Sequence, residues 1–205
     1  MKTIKTLLVL LIIAVVGLGV YVYSGAYNIG ADVPHTPLVY WLMSTLRERS
    51  IEVHAQGIYV PADLGDPKVV LKGAGQYAAM CTGCHLAPGM KDSEIRPGLY
   101  PKPPNLSKVQ VDPREAFWVI KHGIKMSAMP AWGKTHDDAT IWSMVAFLQK
   151  LPTLTPEQYK AMVAAAPPDQ EMESMHGGHG HTGAADEDAI HPVPSSTAPA
   201  PSTSS

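Results

Sequence analysis

Cys81-Thr82-Gly83-Cys84-His85 is the stretch of sequence that determines how the rest of the chain is interpreted. It contains both cysteines of the chain, and a histidine directly follows the second one. The spacing Cys-x-x-Cys-His is typical of covalent haem attachment, in which two thiols add to the haem vinyl groups and the adjacent imidazole reaches the iron. The motif therefore predicts one haem c, attached through Cys81 and Cys84, with His85 as an axial ligand.

Two other kinds of site use the Cys-x-x-Cys spacing. A thioredoxin-like redox pair needs strands that alternate with helices around the motif, and the flanking sequence has no such alternation. A structural zinc site needs four ligands, and the chain has no second Cys-x-x-Cys. Haem attachment is the interpretation that the surrounding sequence favours.

Length and charge limit the possible classes of protein. The 205 residues give room for one ordinary domain with appendages. Residues 55–165 carry twelve basic and nine acidic side chains, a net charge of +3, whereas residues 167–205 carry six acidic and no basic ones. Because no basic run is interleaved with aromatic residues, nucleic acid is excluded from the expected partners.

Residues 1–26 are predicted to form a transmembrane anchor. Lys2 and Lys5 precede Leu7 to Tyr23, seventeen residues without a charge, which as a helix span roughly 25 Å. Lysines in front of such a segment favour a cytoplasmic N-terminus, so we expect a single-pass protein of a bacterial plasma membrane whose main domain is periplasmic. A cleaved signal peptide is the alternative, since Ser24-Gly25-Ala26 offers small residues to a peptidase.

Residues 27–66 are predicted to contain a juxtamembrane helix followed by a linker. Thr36 is expected to cap this helix, and Pro37 suits its first position. Apolar residues follow at helical spacing: Leu38, Trp41, Leu42 and Leu46. Such a helix can lie on the lipid surface, dock on a partner subunit or pack on its own domain, and the sequence leaves the three possibilities open.

A helix predicted from Pro67 to Met80 leads directly into the cysteine motif. Gly73 and Tyr77 lie eight and four positions before Cys81. A residue without a side chain lets a second helix approach, and an aromatic ring can fill the space beside it. In this pattern the chain resembles the class I c-type cytochromes. The resemblance implies an all-α domain of three to five helices wrapped around one haem, here over residues 67–153.

The resemblance also assigns roles in the proline-rich segment that follows. Pro104-Asn105-Leu106 match a family segment in which the proline carbonyl accepts a hydrogen bond from the iron-bound histidine. Pro104 is thus expected to orient His85, and Leu106 is expected to contact the haem edge. Pro88, which is closer to the cysteine motif, is a competitor for the role of Pro104.

Asp112-Pro113-Arg114-Glu115 predicts the start of another helix, which ends near Gly123. Its apolar residues include Trp118, which we expect in the haem environment. His122 lies in the last turn and is a rival for the second axial position. A histidine at that point also suits the helix dipole, so the residue has a simpler explanation.

The second axial ligand is expected from the segment Met129-Pro130-Ala131-Trp132. A methionine thioether is a soft, neutral ligand that favours ferrous iron and raises the reduction potential. In the family this ligand is the methionine of a Met-Pro-aromatic loop, which implies Met129, with Trp132 in the haem environment. Met126 lies three residues earlier without a following proline and is the other candidate.

A last helix of the domain is predicted to begin at Asp137-Asp138 and to end before Pro152. The resemblance implies that it crosses the first helix at Gly73 and Tyr77 through Phe147 or Trp142. The resemblance extends over roughly residues 67–151 and is closest to small monohaem domains such as the haem subunits of bacterial cbb-type oxidases.

Residues 154–205 are predicted to form a short helix, capped by Thr155, and then a disordered tail rich in Pro, Ser and His. The tail contains a cluster of possible copper ligands, because imidazole and thioether groups suit that metal. Its members are Met172, Met175, His176, His179 and His181, with His191 further on. A solvated linker that binds no metal is the alternative.

These features together predict a periplasmic electron carrier and not an enzyme. The expected partners are redox proteins, such as a membrane oxidase or reductase, and no small-molecule substrate is expected. The first alternative is a haem subunit through which electrons enter a membrane oxidase or dehydrogenase complex. The second alternative is a copper-handling protein that uses the Met/His-rich tail.

Overall fold

A computed structural model describes residues 2–168 of the chain, and within this range it contains seven α-helices and no strand. The helices are α1 (Lys2–Tyr23), α2 (Pro37–Ala55), α3 (Pro67–Met80), α4 (Thr82–His85), α5 (Pro113–His122), α6 (Asp138–Lys150) and α7 (Pro156–Ala165). The all-α prediction is confirmed. The candidate copper ligands between Met172 and His191 lie outside the described residues, so the copper hypothesis stays a prediction.

Helix α1 is the one helix of the described range that is long and apolar enough to cross a membrane. None of its residues is buried against the rest of the chain. An N-terminal signal sequence satisfies the same criteria of length and composition, so both possibilities drawn from the sequence stay open.

The centre of the domain is the crossing of α3 and α6. A Cβ atom on Gly73 would lie 1.9 Å from the Ser143 carbonyl oxygen, so only glycine permits this approach of the two backbones. Beside it, the rings of Tyr77 and Phe147 pack with their centroids 5.5 Å apart. The predicted contact of Phe147 with the glycine is confirmed, whereas Trp142 instead stacks on Phe117 of α5 at 4.2 Å.

Side-chain caps fix where most of these helices begin. The Asp112 carboxylate accepts hydrogen bonds from two backbone N–H groups at the start of α5, and Asp137 accepts one at the start of α6. Thr155 and Gln158 form a complete capping box on α7. Thr36 occupies the N-cap position of α2 and Pro37 follows it, as predicted, but the Thr36 side chain makes no capping hydrogen bond. The first turn of α2 is exposed, so water can satisfy its N–H groups.

One side of helix α2 packs on α5 of its own domain. Of the three possibilities left open by the sequence, packing on its own domain therefore holds for this side of the helix. Ala55 is buried, and the His54 ring lies 5.4 Å from the ring of Trp118. Helix α7 packs on α3 and brings Tyr159 to 6.2 Å from Phe147, measured between ring centroids. Helices α2 and α7 thus extend the domain beyond the crossing of α3 and α6.

Candidate haem site

A cavity of about 690 Å³ lies between α2, α4, α5 and the two loops that precede and follow α5. Its walls are mostly apolar. Cys81, Cys84 and His85 line it together with Met129, although 44 residues separate the histidine from that methionine. Pro104, Leu106 and Trp132 also line it. The structure therefore brings most of the residues singled out in the sequence to one place.

The cysteine motif forms a single helical turn, α4. The backbone N–H of His85 donates to the Cys81 carbonyl oxygen at 2.8 Å, which closes the turn. Burial raises the pKa of the Cys81 thiol to about 12. The two sulfur atoms are not joined in a disulfide, so both thiols are available for attachment of another group.

The imidazole of His85 is held by the segment predicted to orient it. Its Nδ1 lies 3.0 Å from the Pro104 carbonyl oxygen, and the Leu106 N–H donates to the His85 carbonyl at 3.1 Å. A carbonyl can only accept, so this bond requires the proton on Nδ1 and leaves a lone pair on Nε2. Burial is the main cause that lowers the pKa of His85. The ring is thus neutral, oriented and able to bind a metal through Nε2.

Leu86, directly after this histidine, has an unusual backbone conformation that the sequence did not indicate. Its φ is +63°, in the left-handed region that bulky residues rarely adopt. The hydroxyl group of Tyr77 donates to the Leu86 carbonyl at 2.6 Å, and both side chains are fully buried. Tyr77 therefore both fills the space beside Gly73 and holds the turn that follows His85.

The loop that carries Met129 is closed against the end of α5. The Ile124 N–H donates to the Met129 carbonyl at 3.1 Å, and the Met129 N–H donates to the Ser127 hydroxyl at 3.2 Å. Gly123 has a φ of +66°, and a Cβ atom there would lie 2.7 Å from the Pro130 carbonyl carbon. Glycine at position 123 thus lets the loop fold back against the end of α5, and this fold places Met129 in the cavity wall.

The structure separates the candidates for the second axial ligand. Met126 is 94 % exposed at the tip of the loop and does not line the cavity. His122 is exposed and packs against Trp118, with ring centroids 5.2 Å apart. Of the three candidates, Met129 is the one that lines the cavity with His85 and the two cysteines; the lining also includes Met80, which directly precedes Cys81.

The two tryptophans assigned to the haem environment differ in placement. Trp132 lines the cavity and packs edge-on against His136, which is buried. Trp118 lies elsewhere: it is not part of the cavity lining, and its ring packs between His54 of α2 and His122. The assignment of Trp118 is corrected accordingly, because helical geometry turns it toward α2 while its neighbours Ala116, Val119 and Ile120 face the cavity.

Sequence reasoning missed the wall that α2 contributes. Tyr40, Arg47 and Ile51 line the cavity from this helix, and Tyr100 and Lys102 line it from the proline-rich loop. The side of α2 that faces the cavity is less apolar than the exposed side. Hydrophobic periodicity therefore identifies the exposed side as the one to be buried and misses the side that lines the cavity. The cations among these residues are Arg47 and Lys102, which pair with the exposed carboxylates of Glu48 and Asp92. Both are also suited to the carboxylate groups of haem propionates.

The residues of the cavity fit a covalently bound haem. The donor set provides two thiols for attachment, an oriented neutral imidazole and a thioether, while the apolar walls suit a porphyrin and the cations suit its propionates. Both cysteines lie in the cavity wall, where covalent haem attachment requires them. The chemistry of the donor set therefore agrees with that predicted from the motif.

Comparison with known proteins gives one positive result. Residues 69–148 match the family described as cytochrome c oxidase, cbb3-type, subunit III. No curated protein and no solved structure matches the chain. The matched range begins inside α3 and ends inside α6, so it includes the cysteine motif, the proline-rich loop and the Met129 loop but excludes α1, α2 and α7.

Proposed function

We propose, from the premise that residues 69–148 form a class I c-type cytochrome domain, that the protein is a membrane-anchored electron carrier. Proteins of this family transfer electrons through haem, and a cytochrome c domain implies that the haem is haem c. Beyond this, we propose that one haem is bound through Cys81 and Cys84, with His85 and Met129 as the axial ligands. The domain is proposed to lie on the periplasmic side of a bacterial plasma membrane.

One observation carries the proposal: the oriented imidazole of His85 and the thioether of Met129 line the same cavity as both thiols. The hydrogen bond from His85 Nδ1 to the Pro104 carbonyl leaves Nε2 as the only nitrogen with a free lone pair. The loop bonds from Ile124 to Met129 and from Met129 to Ser127 hold the backbone of Met129 in place. A rigid pair of ligands limits the rearrangement that accompanies a change in iron charge.

The bound haem supplies a one-electron couple between ferric and ferrous iron. The chain contributes three things to this chemistry. His85 and Met129 provide neutral ligands, of which the thioether favours the ferrous state. The apolar walls keep water from the site and, by lowering the local dielectric constant, favour the less charged state. Arg47 and Lys102 offset the negative charge of the propionates.

The proposed partners are other redox proteins. Electron-transfer encounters are small in area and short-lived, so a large permanent interface is not required. Tethering by α1 keeps the domain close to oxidases or reductases in the same membrane and raises its effective concentration there.

The test is an optical spectrum of the purified protein, reduced and oxidised. We expect a sharp c-type α band on reduction, and we expect the haem to stay with the chain after extraction with acidified organic solvent. A Cys81→Ala, Cys84→Ala double variant is the control, in which the solvent should remove any haem. A wild-type protein that shows no α band, or that loses its haem to the solvent, would refute the proposal.

A second candidate function is supported by the description of the matched family, which is a subunit of a terminal oxidase. In this alternative the chain passes electrons to a permanent complex in place of diffusing partners. Solubilising membranes in a mild detergent and separating the complexes by size distinguishes the two. Co-migration of the haem-stained chain with an oxidase at stoichiometric amounts favours the subunit, and migration as a small species favours the carrier.

A further inference from the structure

Helix α2 has its most apolar side turned away from the domain. Leu38, Trp41, Leu42 and Leu46 are 71 %, 61 %, 56 % and 61 % exposed. The side that faces α5 and the cavity carries Ser44, Arg47, Ile51 and Ala55, which are half-buried or buried. A helix at the surface of a soluble domain shows the opposite arrangement, with its apolar stripe facing the core. A contiguous exposed apolar face of this kind marks a surface that contacts a partner protein or a membrane.

The outer face, defined here as Leu38, Trp41, Leu42 and Leu46, is held close to the end of α1. The connection between the two helices folds back on itself, because the Tyr27 hydroxyl lies 2.6 Å from His35 Nδ1 and the two rings stack at 5.8 Å. The His35 N–H in turn donates to the Tyr100 hydroxyl at 3.2 Å. The connection thus brings His35, two residues before α2, to Tyr27, four residues after α1, and joins His35 to Tyr100 of the cavity wall.

We propose that the outer face of α2 lies in the headgroup region of the membrane that α1 crosses. This inference rests on the membrane anchoring in the proposed function. Continuity with α1 selects lipid as the occupant, since any bilayer around α1 reaches the start of α2 first. Tryptophan and leucine on one face of a helix are suited to the boundary between headgroups and acyl chains. Arg49 lies on the same face one turn beyond Leu46 and pairs with Glu52 at its exposed end; its guanidinium is also suited to lipid phosphate.

In this arrangement α2 is a layer between lipid and haem cavity. Its outer face contacts the membrane, and its inner face supplies Tyr40, Arg47 and Ile51 to the cavity wall. The helix would thereby fix the orientation of the haem relative to the membrane plane. Helix α7, which packs on α3, would face the aqueous phase.

The experiment measures the depth of α2 in the intact, haem-loaded protein. Because both native cysteines are used in haem attachment, a single introduced cysteine can be labelled. Leu42→Cys on the outer face and Lys160→Cys on α7, both at exposed positions, are labelled with a polarity-sensitive fluorophore. The proteins are reconstituted in vesicles of phosphatidylcholine and phosphatidylglycerol, and quenching is measured with lipid-borne nitroxide and with aqueous iodide.

We expect the label at position 42 to be quenched at least tenfold more by the lipid-borne quencher, relative to iodide, than the label at position 160. A label at position 42 that iodide quenches freely overturns the inference. So does one that is shielded from both quenchers, which indicates that protein, such as a second copy of the chain, covers the face.

Two controls distinguish failure of the proposed function from failure of this inference. Incorporation of more than one label per chain means that the native cysteines are free and that haem attachment has failed. Release of the protein from vesicles by an alkaline wash means that α1 does not anchor it. With one label per chain and stable anchoring, the position-42 result tests the outer face alone.

Discussion

The two helix contacts around the haem cavity are built in different ways. Where α3 crosses α6, the backbones touch at Gly73, and fully buried aromatic rings fill the space beside it. Where α2 lies on α5, the inner side of α2 carries half-buried polar residues such as Ser44 and Arg47, and its apolar side faces outward. The first contact is specified by close packing. The second contact depends on what covers the two sides of α2: the cavity on the inner side and the surroundings of the protein on the outer side.

This difference separates the part of the chain that makes the fold from the part that adjusts the site. The first contact lies inside the range that matches the cytochrome family, whereas α2 lies outside it. We therefore expect changes at the α3–α6 contact to remove the folded protein, and changes on α2 to alter the properties of a protein that still folds.

The largest effect is expected from Gly73→Val. The Cβ atom of a side chain at this position would lie 1.9 Å from the Ser143 carbonyl oxygen and 2.9 Å from the Cβ atom of Phe147, so it collides with both. Separating the helices should cost on the order of 3 kcal/mol or more. Haem content and thermal unfolding measured by circular dichroism check this. Gly75→Ala is the matched control in the same helix, where the nearest atom lies 3.0 Å from the added Cβ and belongs to Ala166 near the end of the described chain. A control as damaging as Gly73→Val would contradict the explanation.

The next largest effect is expected from Met129→Ala. Loss of the thioether should abolish the weak near-infrared band of sulfur-to-iron charge transfer. It should also lower the reduction potential by on the order of 0.1 V, within the roughly 0.8 V over which axial ligands act. Met126→Ala should keep the band, because that side chain is 94 % exposed and does not line the cavity. Loss of the band in Met126→Ala alone would show that the ligand has been misassigned.

A smaller effect is expected from removing a helix cap. One cap belongs to α6, which crosses α3, and the other belongs to α5, on which α2 lies. Asp137→Ala removes the cap of α6, and Asp112→Ala removes that of α5; each should cost about 1 kcal/mol at pH 7. The backbone hydrogen bond from Thr140 holds the pKa of Asp137 below its usual value, and the side-chain bond from Arg114 does the same for Asp112.

The pH dependence of these caps follows from the direction of the shifts. A lowered pKa in the folded state means that the stabilisation is fully present above the unfolded value of about 3.9 and is lost as the pH falls through the folded value. The difference in unfolding free energy between wild type and each variant should therefore be constant from pH 5 to 7 and shrink below about pH 4. Denaturant titrations across this range measure it. A difference that grows on acidification would be contrary to this account.

The smallest effect is expected from Arg47→Gln on the inner side of α2. Removal of a positive charge that faces the cavity should destabilise the ferrous state by about 1 kcal/mol or less. That corresponds to a fall in reduction potential of roughly 40 mV or less for one electron. Arg47→Lys keeps the charge and should keep the potential. Spectroelectrochemical titration distinguishes the two variants, and equal potentials in Arg47→Gln and wild type would remove Arg47 from the site.

Much of the fold and of the candidate site could be predicted because short patterns determine it locally. The bounds Pro67–Met80 follow from a proline at the start and the cysteine motif at the end. The bond between His85 and Pro104 was predicted from the resemblance and is present at 3.0 Å. Phe147 was one of two residues predicted at the Gly73 notch, and packing decided between it and Trp142.

Other features could not be predicted because they depend on long-range contacts. The contribution of α2 to the cavity rests on Tyr40, Arg47 and Ile51, which form no recognisable motif. Trp118 was assigned to the cavity from its apolar character, but its position on α5 turns it toward His54. The left-handed conformation of Leu86 is stabilised by a tyrosine nine residues earlier, and nothing in the local sequence of Leu86 indicates it.

The wall contributed by α2 affects how this protein should be compared with its relatives and divided into fragments. An alignment that begins at residue 69 omits three side chains that line the cavity. A fragment that begins there would expose one side of the haem to water and would lack Arg47. Its potential and its lifetime in the reduced state would then describe an opened pocket, so measurements on such a fragment should not be transferred to the intact chain.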